Sequence, residues 1–115
     1  PKTSVKLVLL YGPPAVGKLS VAQALAARTG FRTLHNHLFI DLSHTLFGLG
    51  TEASRAFSRE LRRVSLDAAR REGVSGIILT TVYARDRDGY LLGLCDHAEA
   101  QGDAVCLVHL TCGVE

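Results

Sequence analysis

Residues 12 to 20 read GPPAVGKLS. Four residues separate Gly12 from Gly17 and Lys18 follows directly, which is the Gly-x4-Gly-Lys spacing of a loop that grips phosphate. Backbone N–H groups of such a loop, with the N-terminus of a helix behind it, form a nest for an anion. The two glycines admit conformations and a close phosphate approach that a Cβ would obstruct, and the Lys18 ammonium belongs near the β- and γ-phosphates. Pro13, Pro14, Ala15 and Val16 complete the loop. Leu19 stands where a Mg²⁺-binding hydroxyl commonly follows the lysine, and Ser20 supplies a hydroxyl one place later.

A second group of reactive side chains lies in LHNHLFID, residues 34 to 41. With Asn36 as a helix N-cap, His37 and Asp41 are four apart on one helical face, so the carboxylate can orient an imidazole or itself accept a hydroxyl proton. A capped helix with surface histidines accounts for the same letters. The tripeptide HNH does not make a nuclease, which needs its own metal-binding ββα context. Further along, Arg55, Arg59, Arg62 and Arg63 fall on the polar side of a helix, and arginine forks suit phosphate or carboxylate. Glu60 and Glu72 are interleaved, as on an ordinary solvated face. Arg55 and Arg59 are the candidate substrate pair, and Arg85 and Arg87 follow a strand at its carboxyl end, with Tyr83 beside them. Cys106, His109 and Cys112 lie in a strand whose alternation sends the histidine away from the cysteines, so burial rather than zinc is expected for them.

The elements that must position these groups follow from the hydrophobic pattern. VKLVLLY, residues 5 to 11, is a continuous apolar run bounded by Gly12 and reads as a strand buried on both faces. A helix follows over GKLSVAQALAARTG, with Leu19, Ala22, Leu25 and Ala26 at helical spacing and Gly30 as its stop. A brief strand, FRTLH, and a helix ending at Gly48 come next. A longer helix is expected from about residue 51 to 72, its apolar stripe Phe57, Leu61, Val64 and Ala68 facing a core. GIILTTVY is another buried strand, DGYLLGLCDHAEAQG a helix, and AVCLVHLTC a final strand. Strands separated by helices require crossovers, hence a mostly parallel sheet with helices on both faces, a three-layer α/β domain.

The loop and this order together resemble the small P-loop kinases, a group that includes adenylate kinases, shikimate kinases and chloramphenicol phosphotransferases. The Gly-Lys-Leu-Ser ending is similar to the Gly-Lys-Gly-Thr ending of the nucleoside monophosphate kinases, in which the second hydroxyl serves the phosphates and an acidic residue elsewhere helps to hold the metal. GPPAVGK followed by HNH also resembles a group of ATP-binding proteins related to these kinases. The resemblance implies a P-loop NTPase core of nucleoside monophosphate kinase type, with ATP and Mg²⁺ as cofactors. It implies Lys18 and Asp41 as catalytic residues, a cofactor site from Gly12 to Ser20, and a small-molecule acceptor held by His35, His37, Arg55, Arg59 and Arg85. Ser20 is the first metal candidate, with Asp41 and Asp86 beside it. Two departures stand out: Thr80 and Thr81 occupy the strand end where these kinases carry a metal-associated Asp, and the arginine-bearing lid and last strand of the family would fall beyond Glu115.

Composition narrows the classes. At 115 residues one domain is expected over residues 1 to 115, incomplete at its C-terminal end. Hydrophobic residues at 47% and charged residues at 21% are ordinary for a folded soluble protein, and a net charge of +2 gives no footprint for nucleic acid. No apolar run approaches the roughly 18 residues of a membrane span, and no signal cleavage site is evident, so the default expectation is cytoplasmic. Three cysteines cannot close a disulfide framework, in keeping with a reducing compartment. The function expected is an ATP-dependent small-molecule phosphotransferase. The other classes to weigh are a nucleotide-binding module without turnover and a P-loop ATPase, the latter disfavoured by the missing acidic strand end.

Overall fold

The computed structural model describes residues 4–12, 17–82 and 90–110. Their elements, in order, are β1 (Lys6–Gly12), α1 (Lys18–Thr29), β2 (Arg32–Leu34), α2 (Asn36–Phe47), α3 (Glu52–Arg71), β3 (Gly76–Val82), α4 (Tyr90–Ala100) and β4 (Ala104–His109). All four strands are parallel, in the order β2-β3-β1-β4. The apolar runs therefore become the two central strands, where both faces are covered: Leu7, Leu9, Ile77, Ile78 and Leu79 are all buried.

Strand alternation divides this core in two. Leu10 and Ile78 point to the face covered by α1, against Ala22 with Leu25 and Ala26. Leu7, Leu9, Ile77 and Leu79 point to the other face, against Phe39 of α2, Leu66 and Ala69 of α3, and Leu94 and Ala98 of α4. One helix on one face and three on the other is the three-layer α/β arrangement the pattern implied. Each buried leucine adds about 1.5–3 kcal/mol relative to exposure, so the leucine rows of β1 and β3 anchor both layers.

Helix ends follow local chemistry. Thr51 has extended backbone angles and its side chain accepts from the Ser54 N–H, capping α3. Gly30 closes α1 at φ +77°, its N–H donating to the Ala26 carbonyl at 2.8 Å.

Three expectations need correction. The cap of α2 is His35, without a side-chain hydrogen bond, and Asn36 is the first helical residue because its side chain is committed to Arg62. The buried stripe of α3 runs through Ser54, Ser58, Arg62, Leu66 and Ala69, whereas Val64 is 48% exposed and Phe57 and Ala68 are half-buried. Tertiary satisfaction of Arg62 outweighs the rotation that apolar count alone would choose. Cys106 is exposed, because β4 lies at the edge of the described sheet and pairs on one side alone. Cys112 lies outside the described residues.

Candidate phosphate and acceptor site

The carboxyl ends of the parallel strands, where open α/β sheets bind ligands, carry the candidate site. β1 ends at Gly12 and α1 begins at Lys18, so the expected loop sits between a central strand and a helix N-terminus. Gly17 adopts the left-handed region at φ +92°, ψ +24°, which strains any residue with a Cβ, and from there the chain turns directly into α1. The first helical hydrogen bond runs from the Val21 N–H to the Gly17 carbonyl at 3.1 Å. The first-turn N–H groups of a helix have no acceptor within it, and with the helix dipole they form the positive end of an anion site. Lys18 Nζ donates to the Gly12 carbonyl at 3.1 Å, joining the residue that ends β1 to the one that starts α1. Ser20 is exposed on that same first turn, as is Leu19 at 42%. Pro13, Pro14, Ala15 and Val16 lie outside the described residues, as do Tyr83, Arg85, Asp86 and Arg87.

At the same end of the sheet, α2, α3 and β3 meet at a polar cluster. The Asn36 N–H at the start of α2 donates to Thr80 Oγ1 of β3 at 3.2 Å. Arg62 of α3 is 9% exposed; it donates through Nη2 to Asn36 Oδ1 and through Nη1 to Ser58 Oγ at 2.7 Å. Its guanidinium also lies 5.0 Å from the centre of the Phe39 ring, a cation–π contact. A buried guanidinium at the end of a sheet is chemically suited to an anionic or hydroxyl-bearing ligand. Sequence reading placed Arg62 on the outer face and did not single out Asn36 or Thr80 as ligand groups. Ser54, Ser58, Arg62 and Leu66, four residues apart in turn, were the available signal.

The other candidates are more dispersed. His35 is half-buried at the α2 cap, and His37 and Asp41 are exposed on α2, on the side away from Phe39 and Ser43. Arg55 is exposed and donates to Glu52 Oε1 at 3.0 Å and to the Gly50 carbonyl at 3.1 Å. Arg59 lines an open groove of about 440 Å³ between α3 and α4, together with Arg63 and His97.

The donors suit Mg²⁺, a hard cation that keeps water and substrate-phosphate oxygens in its shell rather than demanding a protein cage. Ser20 and Asp41 offer oxygen, and among the described residues no group of three or more His, Cys, Asp or Glu side chains converges.

No protein-family model matches the sequence, and no curated protein matches it. Solved structures do. A sugar kinase from Janibacter sp. superposes with a TM-score of 0.69 at 22% identity, over 93% of this chain and 60% of that one. A gluconokinase from Sinorhizobium meliloti does so with a TM-score of 0.64 at 17% identity, over 98% of this chain and 61% of that one. The chain thus spans about 60% of the length of these structures. Likeness at these identities shows the fold alone: a parallel four-stranded α/β core that these structures share. No helix among the described residues is long and apolar enough to cross a membrane.

Proposed function

We propose that the chain is the nucleotide- and acceptor-binding core of an ATP-dependent phosphotransferase acting on a hydroxyl or phosphate of a small molecule. The observation that carries this reading is the joining of β1 to α1 through left-handed Gly17, with the Lys18 ammonium held at the Gly12 carbonyl. It is supported by the buried Arg62–Asn36–Thr80 cluster at the same end of the sheet, and by the kinase fold. One domain over residues 1 to 115 and a cytoplasmic site of action belong to the same reading.

Phosphoryl transfer asks the protein for positioning and charge stabilisation more than for covalent chemistry. Lys18 exchanges its carbonyl partner for the β- and γ-phosphates, and the first-turn N–H groups of α1 take the remaining phosphate oxygens. Ser20 is the residue that would hold Mg²⁺, which would supply charge neutralisation at the phosphates when bound. Asp41, the one carboxylate α2 carries, takes the proton of the acceptor hydroxyl. Arg62 fixes an anionic or hydroxyl group of the acceptor, with Arg55, Arg59, His35 and His37 as outer contacts and Arg85 joining them from beyond β3.

Calorimetric titration of ATP and Mg²⁺ into the wild-type and Lys18→Ala chains tests the core of the proposal. Wild-type affinity falling by tenfold or more in the variant is expected, since one lysine–phosphate pair is worth on the order of 1.5–3 kcal/mol. Absence of wild-type binding in a folded chain would refute it. Asp41→Asn is expected to keep that affinity while losing transfer. Nucleotide affinity without transfer in the wild type as well would instead favour a binding module.

A further inference from the structure

The large apolar side chains left exposed among the described residues concentrate on α2 and the turn after it. Leu38, Leu42, Leu46 and Phe47 are between 43% and 57% exposed, and Leu49 is 81% exposed. The three helical leucines are four residues apart in turn, so they form one stripe along α2. Leu38 and Leu42 each directly precede an inward residue, Phe39 and Ser43, through which the helix is buried. The stripe therefore lies roughly 100° around the helix from the packed face. α3 and β3, the main neighbours of α2, leave it half exposed.

The turn extends the same apolar surface. Gly48 and Gly50 both have positive φ, at +91° and +75°. Two such glycines set a tight reversal into the Thr51 cap of α3, and Leu49 stands at its tip. A polar residue suits a solvated turn, whereas a leucine so exposed gains nothing from its own chain. Single exposed leucines need no explanation, but a contiguous patch does. Five side chains at these exposures present roughly 500 Å² of apolar surface, within the range that marks an interaction site.

The pattern of the stripe indicates its occupant. Leu42 stands at the centre with a leucine four residues to each side, so the row is the same from either end. Two α2 helices laid antiparallel about a two-fold axis at Leu42 set Leu38 of each copy on Leu46 of the other, a self-complementary contact. The stripe carries no charge, and Asp41 lies on its far side from Ser43, at the rim. Pairing removes on the order of 1,000 Å² from water in total, which is the lower bound of a specific interface and suits a weak dimer.

We propose that α2 and the turn at Leu49 form a self-association surface through which two copies of this chain pair about a two-fold axis at Leu42. The proposal does not depend on the phosphotransferase reading. The contact and the candidate site then share one helix, because α2 is tied at Asn36 to Thr80 of β3.

Sedimentation equilibrium of the wild-type chain from micromolar to millimolar concentration tests it, beside Leu42→Glu, Leu49→Glu and Leu107→Glu. The wild type is expected to rise from the mass of one chain to that of two and to level there. Leu42→Glu and Leu49→Glu are each expected to weaken pairing by about a hundredfold, because the two-fold axis buries every new charge twice. Leu49 is remote from the core, so its variant reads the contact even where Leu42→Glu fails to fold. Leu107, 50% exposed on β4, controls for the rival surface at the edge of the described sheet. Pairing that is lost in Leu107→Glu and kept in the other two places the contact at that edge and overturns the proposal. A wild type that keeps the mass of one chain at millimolar concentration, or climbs past two chains without levelling, overturns it as well.

Discussion

Thr33 has a buried hydroxyl oxygen with no hydrogen-bond partner among the described residues. Its strand, β2, pairs with β3 through Thr33 beside Ile78, on the side packed by α1. A buried, unsatisfied hydroxyl carries a desolvation cost of about 1–3 kcal/mol, and valine is nearly its isostere with equal liking for a strand. Thr33→Val is therefore expected to stabilise the chain by about 1 kcal/mol, read as a higher urea midpoint at unchanged slope. A lower midpoint would show that the oxygen is satisfied in solution. At this scale the phosphate loop was the most legible feature, because its spacing is a local property of the chain. Arg62 was the least legible. It sits in the run RELRR, which looks solvated, and its burial depends on Asn36, 26 residues earlier in the chain. No local pattern states that a partner will arrive from another helix.

Elements were read well where their ends carry specific chemistry. The start of α3 near residue 51, the stop at Gly30 and the apolar strands β1 and β3 survive with shifts of a residue or so, since helix ends and continuous apolar runs are decided locally, whereas β4 ends at His109. The rotation of α3 was misread because Ser54 and Ser58 are small and polar, and their inward position is set by the way α2 packs on α3. Gly76 shows a similar long-range constraint: a Cβ there would lie 2.5 Å from the Phe31 ring, so the start of β3 and the approach to β2 require its absence. Gly76→Ala is expected to cost about 1–3 kcal/mol, as overpacking does, and Phe31→Leu in the same chain to recover part of it. Thermal unfolding of the two variants checks this. Equal losses that simply add would mean that the ring and the glycine are independent.

Across the described residues, the candidate site and an ionic clamp lie at opposite ends of the sheet. The carboxyl ends of the strands hold the candidate site, while the amino ends are tied by an ionic network. Arg70 of α3 donates through Nε to both carboxylate oxygens of Asp103, at 2.9 and 3.0 Å, and through Nη1 to Asp67 at 2.8 Å. Asp103 also accepts from the Val5 N–H at 2.9 Å, and His97 Nε2 lies 3.0 Å from Asp67. α3, α4 and the starts of β1 and β4 are thereby joined. Burial pushes the Asp103 carboxyl up, but Arg70 and the Val5 N–H outweigh it and hold it below the ordinary range. For Asp67, burial is likewise outweighed by Arg70 and His97. Carboxyls with depressed folded values bind fewer protons folded than unfolded below about pH 5, so stability rises with pH there. It is fully present above the unfolded value near 4 and is lost as pH falls through the folded values. Asp103→Asn is expected to lower the urea-derived stability by about 2–3 kcal/mol at pH 7, with a gap that narrows towards pH 3. Because the clamp is remote from the phosphate loop, the folded variant should bind ATP as the wild type does. A gap constant with pH would assign the loss to packing, and weakened ATP binding would show that the two ends of the sheet are coupled.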